Sequence, residues 1–336
     1  MIHGTRHLGG FLACLWVILI ACPAGATPEE LLGTEAAQAV AQHEVVPSVQ
    51  RWEVVEDAPP RFEILLNIPA TQLTLFDRGV PVRHHKVAVG TPRWPTPTGK
   101  FTIYEIQWNP WWLPPESEWA EKAEKTPPGP GNPLYPVKLM MQKALRIHGA
   151  KASWTVGRAS SHGCMRMRRG EVRDLAEFLE SQLVPEHGPA IFENYRRKTW
   201  QPFSTKLPEE KHIWVYMVYQ PLERWSNQLV LHPNYYGRRI AYENEIMDLL
   251  MEAGVYTAPI DMGKFHAIRK KGRGTRVIPF QDLLADGSLP EEQSEHFASM
   301  CLLDQPNQLK QAREKYNTKL ISTMVPLFQS AMDLHP

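Results

Sequence analysis

Apolar and polar positions alternate along much of the chain between residues 61 and 231. In RFEILLNIPA the apolar residues fall two positions apart and would share one face of a strand: Phe62, Ile64, Leu66 and Ile68. TQLTLFDRGVPVRHHKVAVG predicts a hairpin with its turn at Asp77-Arg78-Gly79. Further strands are predicted at GKFTIYEI, VKLMM, ALRIHGA, HIWVYMVY and NQLVLHP. This pattern predicts a mainly β domain.

Helical spacing replaces the period of two in three segments. GEVRDLAEFLESQL places Val172, Leu175, Leu179 and Leu183 near helical spacing, with the acidic Glu171 in the first turn. Beyond residue 237, IAYENEIMDLLMEAG and QLKQAREKYNTKLISTMVPLFQSAM are amphipathic helical patterns. The fold class predicted from these patterns is mainly β with a flanking helix, followed by a mostly α C-terminal extension.

A long proline-rich segment interrupts the strand pattern between residues 108 and 136. Loops of this length inside a domain are usually functional or disordered, and the tryptophans Trp108, Trp111, Trp112 and Trp119 argue against disorder. Two interpretations remain open. The indoles either pin the loop to the body of the domain or form the wall or lid of a substrate groove.

The N-terminus has the form of an export signal. Arg6 supplies a basic region, Phe11 to Ala21 an apolar region, and Ala24-Gly25-Ala26 a small-residue cleavage site. A lipoprotein signal is the alternative, because Leu19-Ile20-Ala21 precedes Cys22. Both alternatives predict export, to the periplasm in soluble form or as a lipoprotein anchored through Cys22.

Four segments are predicted: a signal peptide at 1–26, an N-terminal segment at 27–57, a catalytic domain at 58–236 and a helical extension of unknown role at 237–336. The formal net charge of +1 argues against nucleic acid as a partner, since phosphate binding needs concentrated positive charge. The basic run IRKKGRGTR is interpreted as a solvated loop, with contact to an anionic polymer as the alternative.

The cysteines direct attention to one motif. Cys14 and Cys22 lie in the predicted signal, which leaves Cys164 and Cys301 as free thiols or a disulfide. Cys164 lies in SSHGCMRM, directly after a histidine and a glycine and two residues before Arg166. Because only the thiolate attacks acyl carbons well, a reactive cysteine needs a neighbouring base or a lowered pKa.

Two histidines could provide that base. His148 ends a predicted strand and could face the sulfur across a groove, whereas His162 precedes it by two residues. We predict His148 as the base and His162 as polar support for Cys164. Two alternatives stay open: a buried, unreactive thiol, and a zinc site formed by His148, His162 and Cys164, for which no fourth ligand is evident.

At these residues the chain resembles the L,D-transpeptidases with a YkuD-type catalytic domain, of the Gram-negative periplasmic type. The resemblance rests on His148-Gly149 followed by Ser161 to Met167, and on VAVG, TPTGKF, PPGPGNPL and RIHGA in the same order. It covers roughly residues 61–236 and implies a β-sandwich-like fold. The sequence shows no LysM-like wall-binding module, and residues from 237 onward match no segment of the family.

The resemblance also implies a role for each motif residue. Cys164 would be the nucleophile and His148 its base, oriented by the carbonyl of Gly149. His162, with the backbone N–H groups of Gly163 and Cys164, would support the oxyanion. Ser161 and Arg166 would shape the substrate pocket, with Arg166 able to pair with a carboxylate. Neither a metal nor any other cofactor is implied.

The implied reaction is acyl transfer within peptidoglycan. Cys164 would form an acyl-enzyme with a tetrapeptide stem, release D-alanine and pass the acyl group to an amine acceptor. Water as the acceptor would make the protein an L,D-carboxypeptidase, and an outer-membrane lipoprotein would make it an anchoring transferase. The non-enzyme alternative is a wall-binding or zinc-binding protein with the same fold.

Overall fold

The computed structural model describes residues 59–225, 228–252, 260–272, 274–285 and 307–316. The predicted signal peptide, the Cys22 lipobox, the N-terminal segment and Cys301 lie outside these ranges, as does most of the second predicted C-terminal helix. Within them, the helices are all too short or too polar to cross a lipid bilayer.

Short strands dominate the described chain. They are β1 Phe62–Asn67, β2 Gln72–Asp77, β3 Val80–Lys86, β4 Val89–Gly90, β5 Gly99–Trp108, β6 Val137–Met141, β7 Arg146–Gly149, β8 Ala159–Ser161, β9 Met165–Met167, β10 Phe203–Lys206, β11 Ile213–Val218, β12 Leu222–Trp225, β13 Gln228–Leu231 and β14 Arg276–Pro279. The helices are α1 Arg169–Leu183, α2 Pro189–Arg197, α3 Tyr242–Glu252 and α4 Met262–Lys270, and residues 307–316 form a further helix, α5.

The central sheet has nine strands in the order β3-β2-β1-β11-β5-β6-β7-β9, with β10 paired to β5. The pairs β1–β11 and β7–β9 are parallel, and the other neighbours are antiparallel. The predicted hairpin corresponds to β2 and β3, which meet at Asp77 and Val80. The prediction of a mainly β fold with a flanking helix is confirmed.

The main core lies between this sheet and α1. The helix buries its apolar stripe there, including the four predicted positions Val172, Leu175, Leu179 and Leu183. Trp108, at the end of β5, is fully buried, and its indole N–H donates to the carboxylate of Glu180 at 2.7 Å. This tryptophan therefore anchors the start of the proline-rich segment to the body of the domain.

Strand β1 is buried on both faces, although its sequence predicts one apolar face. Its second face carries Glu63 and Leu65 and is covered by α5, where Leu309 and Ala312 pack. The guanidinium of Arg313 in α5 donates from Nε to the Glu63 carboxylate at 2.9 Å. A buried carboxylate on this strand is thus paired by a residue 250 positions later in the chain.

A second core lies in the C-terminal half of the described chain. Strands β12, β13 and β14 form a three-stranded sheet, and Leu229 and Phe280 pack there against Ile246 of α3 and Phe265 of α4. The sheet joins strands on both sides of the predicted boundary at residue 236, which stays a prediction. The C-terminal extension contains helices, as predicted, and also the strand β14.

Candidate active site

The cysteine motif forms the turn between β8 and β9, and β9 lies parallel to β7. The register pairs Ile147 with Met165 and His148 with Arg166. Cys164 comes immediately before β9, so it lies beside the strand that carries His148. Its thiol is partly exposed and lies 3.9 Å from the carbonyl oxygen of Ala144. Residues 16 positions apart in sequence therefore lie at the same edge of the central sheet.

A pocket of about 510 Å³ opens at this edge. Four of the predicted site residues line it: Cys164, His148, His162 and Arg166. The proline-rich segment supplies Trp112, Pro115, Trp119, Pro133 and Leu134, and the remaining lining residues are Arg146, Lys151, Ala152 and Thr155. Three predicted residues are not among the lining residues: Gly149, Ser161 and Gly163.

His148 is held as a neutral ring. It is 5% exposed, and burial, helped by the charge of nearby Arg166, lowers its pKa to about 3. Its Nδ1 lies 3.0 Å from the carbonyl oxygen of Gly149, so Nδ1 carries the proton and Nε2 carries the lone pair. The Gly149 carbonyl therefore lies at hydrogen-bond distance from the imidazole, and its role in orienting a catalytic base stays a prediction.

Gly149 itself has no room for a side chain. A Cβ built there would lie 2.0 Å from the carbonyl oxygen of Tyr135, a backbone atom that cannot rotate away. The close approach brings the end of the proline-rich segment against β7, next to His148. Glycine at this position therefore serves the packing of the pocket wall as well as the imidazole contact.

Ser161 braces the motif loop. The residue is fully buried, and its hydroxyl accepts a hydrogen bond from the N–H of Gly163 at 3.1 Å. It does not line the pocket, so this conformation gives it a supporting position and not the predicted substrate contact. Gly163 has a φ of +104°, which favours glycine. The N–H groups of Gly163 and Cys164 are the two donors predicted to support the oxyanion. Because the N–H of Gly163 already donates to Ser161, the N–H of Cys164 is the remaining donor.

Thr96 is a site residue that the sequence did not single out. It is fully buried, and its hydroxyl donates to the carbonyl of Gly163 and accepts from the N–H of Gly90, both at 2.8 Å. The peptide between Gly163 and Cys164 is planar, so its carbonyl and the N–H of Cys164 point in opposite directions. By holding the carbonyl, Thr96 fixes where that N–H points.

Tyr236, the last residue of the predicted catalytic domain, supports Thr96. Its hydroxyl accepts from the N–H of Thr96 and donates to the carbonyl of Gly90, both at 3.0 Å. The N–H of Tyr236 donates in turn to the hydroxyl of Tyr219 at 2.9 Å. In the sequence, this region was indicated only by the segment TPTGKF as a whole. No spacing distinguishes Thr96 from the neighbouring threonines.

His162 packs against tryptophans from two loops. Trp119 stacks on its ring with centroids 4.1 Å apart and an interplanar angle of 6°, and Trp94 meets it edge-on at 6.2 Å. Partial burial and nearby Arg166 lower its pKa. Each interpretation of the proline-rich segment therefore applies to different tryptophans. Trp108 anchors the segment, whereas Trp112 and Trp119 form a pocket wall.

The charged lining of the pocket is cationic. Arg146, Lys151 and Arg166 line it, and no carboxylate is found among its described lining residues. The guanidinium of Arg166 donates to the carbonyl of Ser160 at 3.3 Å, and burial lowers its pKa. Within the ranges that the structure covers, no three His, Cys, Asp or Glu side chains are grouped to hold a metal ion.

The fold and pocket define a mainly β domain with a cysteine and a neutral histidine at adjacent parallel strands. Residues 61–187 match the model of the family described as L,D-transpeptidase catalytic domain, YkuD. The chain is 27% identical to the YkuD protein of Bacillus licheniformis over 136 residues, which are 40% of this chain and 67% of that protein. It is 29% identical to the YkuD protein of Bacillus subtilis over 119 residues, which are 35% and 60%.

Among solved structures, the chain is similar to the L,D-transpeptidase LdtMt1 in complex with imipenem, with 16% identity and a TM-score of 0.31 over 47% of this chain and 59% of that one. An L,D-transpeptidase from Mycobacterium smegmatis gives 15% identity and a TM-score of 0.27 over 47% and 58%. In the two sequence comparisons, the matched part of the chain spans 60 to 67% of the length of the Bacillus relatives. The similarity to the YkuD family of L,D-transpeptidase catalytic domains is thus confined to residues 61–187 of the chain.

Proposed function

We propose that the protein is an exported L,D-transpeptidase that cross-links peptidoglycan stem peptides through Cys164. The observation that carries the proposal is that Cys164 and the neutral imidazole of His148 line one pocket. The family match over residues 61–187 supports the same activity. The apolar region from Phe11 to Ala21, followed by the small-residue cleavage site Ala24-Gly25-Ala26, supports periplasmic localisation, with a lipoprotein anchored through Cys22 as the alternative.

In the first half-reaction, Nε2 of His148 takes the proton of the Cys164 thiol, and the thiolate attacks the carbonyl carbon of the third stem residue. The N–H of Cys164 is aimed by the Thr96 contact and stabilises the oxyanion. When the tetrahedral intermediate collapses, the C–N bond breaks. The departing amine of D-alanine takes the proton from the imidazolium, which leaves a thioester on Cys164.

In the second half-reaction, an acceptor amine attacks the thioester carbonyl and gives its proton to His148. The C–S bond breaks, the thiol is restored, and a new amide links two stems. Water in place of the amine would give an L,D-carboxypeptidase, and a lipoprotein lysine would give an anchoring transferase. A non-catalytic wall-binding protein is the alternative in which none of these products forms.

The test is incubation of the purified mature chain with tetrapeptide muropeptides, followed by mass analysis. We expect D-alanine release and cross-linked dimers, and no product from Cys164→Ala. Cys301→Ala is the matched control and should retain activity. Release of D-alanine without dimers would favour the carboxypeptidase. Failure to release D-alanine, with the fold intact by thermal melting, would contradict the proposal.

A further inference from the structure

A second pocket, of about 520 Å³, lies in the C-terminal part of the described chain. Residues 231–235, at the end of β13 and in the loop after it, form part of its lining. The rest comes from Tyr242 at the start of α3, from the C-terminal end of α4 and from the segment that leads into β14. None of its described lining residues also lines the pocket that contains Cys164. Its volume is in the range that ligand pockets usually have.

The charged lining of this second pocket is cationic. Arg269, Lys270 and Arg276 contribute to it, and no carboxylate is found among its described lining residues. In the sequence, the stretch from Met262 to Phe280, which contains the basic run IRKKGRGTR, has six lysine or arginine residues and no aspartate or glutamate. Because the formal net charge of the whole chain is only +1, positive charge is concentrated in this stretch.

Arg276 has a structural role that explains its position. It lies opposite Leu231 in the register of β13 and β14. Its guanidinium donates to the carbonyl oxygens of Ile268 and Gly272, in the last turn of α4 and just after it. Cations satisfy and complement the carbonyl groups at the C-terminal end of a helix. Arg276 therefore closes the end of α4, and ligand binding is better tested at the other two cations.

Arg269 and Lys270 occupy the last turn of α4, and both side chains are exposed. The guanidinium of Arg269 lies over the ring of Tyr242, 5.0 Å from its centroid. This contact holds the cation at the pocket through an aromatic face and not through an anionic partner. The helix dipole favours cations in this turn, but it does not require that they line a pocket.

A buried histidine and its carboxylate partner lie at the β13 end of the pocket. His232 lines the pocket, and its Nε2 lies 2.9 Å from the carboxylate of Glu223. That carboxylate also accepts a hydrogen bond from the side-chain amide of Asn67 at 2.6 Å. Glu223 is therefore engaged by two partners, and it is not one of the residues that line the pocket. An anion that enters the pocket would meet exposed cations there.

We infer that this second pocket binds carboxylate groups of peptidoglycan and holds the protein on the wall polymer. The inference rests on the proposed function, because that function supplies a polymer whose stem peptides carry many free carboxylates. Two sites of one chain that bind the same polymer reinforce each other, since the first contact raises the local concentration of ligand for the second. The pocket would thus provide a wall-binding surface in a chain whose sequence shows no LysM-like module.

The test is sedimentation of the Cys164→Ala protein with insoluble peptidoglycan, because this variant cannot form an acyl-enzyme. Arg269→Gln with Lys270→Gln should weaken retention by about three- to tenfold at low ionic strength, since each exposed ion pair contributes modestly. Lys198→Gln with Lys206→Gln is the matched control, because it removes two exposed charges outside the pocket. The control should retain the protein within about twofold of the parent. Added salt should reduce the difference between the two double variants.

Two further arms identify the ligand. Peptidoglycan whose carboxylates have been converted to carboxamides should no longer distinguish the pocket variant from the control variant. Vesicles of phosphatidylglycerol, which present phosphate without carboxylate, should not distinguish them either. Lys270→Gln alone should cause part of the loss, and Arg269→Lys should keep most of the retention because it keeps the charge. Thermal melting should give all these variants a Tm close to that of the parent, since surface substitutions change stability little.

Three results would overturn the inference. The first is equal retention of the pocket variant and the control variant by peptidoglycan. The second is a difference that persists after the carboxylates are converted, and the third is a difference seen only with vesicles, which would assign the pocket to a phosphate headgroup. D-alanine release from soluble muropeptides tests the proposed function separately. The active chain with the pocket substitutions should release D-alanine at the unchanged rate, so failure of the wall site and failure of the proposed function are distinguishable.

Discussion

Thr96→Val tests whether the backbone around Cys164 is positioned for acyl chemistry. Valine has nearly the shape of threonine but lacks the hydroxyl. The substitution therefore removes the 2.8 Å hydrogen bonds to the carbonyl of Gly163 and from the N–H of Gly90, and leaves both groups buried. We expect the peptide that joins Gly163 to Cys164 to lose its fixed orientation, and with it the direction of the Cys164 N–H.

The expected size follows from these two contacts. A buried donor or acceptor left unsatisfied costs about 1–3 kcal/mol, so with two such groups the free energy of unfolding should fall by about 2–6 kcal/mol. For a domain of this size that corresponds to a Tm lowered by roughly 4–24 °C. Loss of an oxyanion donor costs about 10²–10³-fold in rate. A donor that is misdirected but still present should cost about 10–100-fold in acylation.

Two reactions of the Cys164 sulfur distinguish a misdirected oxyanion donor from a general loss of thiol reactivity. Acylation by a thioester or stem peptide develops an oxyanion, whereas alkylation by iodoacetamide does not. Thr96→Val should therefore slow acylation at a temperature where it is folded and leave alkylation within about twofold. Thr96→Ser should restore acylation, because it keeps the hydroxyl.

Thr74→Val is the matched control for stability. Thr74 is also buried, and its hydroxyl bonds the ring of His84 at 3.1 Å, away from the pocket. It should lower Tm without changing acylation. If Thr96→Val slowed alkylation and acylation by the same factor, or neither of them, the positioning argument would be refuted.

Further predictions concern the motif residues. Iodoacetamide should label Cys164 faster than Cys301 in the folded chain, and equal labelling by peptide mapping would count against the nucleophile assignment. Arg166→Ala should lower kcat/KM for the donor by about 10–100-fold while Tm changes less, whereas a low Tm with normal acylation would make Arg166 structural. Excess chelator should leave D-alanine release and Tm unchanged, and a loss of either would revive the zinc hypothesis. The pKa of His148 lies at about 3 in the folded chain, below the ordinary value of 6.5, so the unfolded chain binds the extra proton between these pH values. The free energy of unfolding should therefore fall by up to about 1.4 kcal/mol per pH unit as pH drops from 6.5 to 3, and His148→Gln should flatten this slope in urea titrations.

The sequence predicted most of the fold because its patterns are local. Alternation in β1 and helical spacing in α1 identify elements whose apolar residues meet within the main core. Local patterns do not report partners that lie far along the chain. The second buried face of β1 is an example, since Glu63 in that strand reads as a solvent-facing position until Arg313 is brought to it by α5.

The residues of the candidate site also fall into two groups, those that a local motif predicts and those that depend on partners distant in sequence. Cys164 and His148 are chemically distinctive, and two short segments, His148-Gly149 and Ser161 to Met167, singled them out as candidates. Thr96 is an ordinary residue type whose importance depends on which atoms it faces. It becomes informative only when its hydroxyl is found to donate to the carbonyl of Gly163.

The family match ends at residue 187, yet the site depends on the chain beyond it. Strand β11 lies between β1 and β5, so without it the central sheet would divide into two pieces, each with an unpaired edge. Tyr236 holds the backbone N–H of Thr96, which in turn aims the peptide at Cys164. The residues proposed for the chemistry thus come from the matched segment, whereas their alignment depends on strands and loops that follow it.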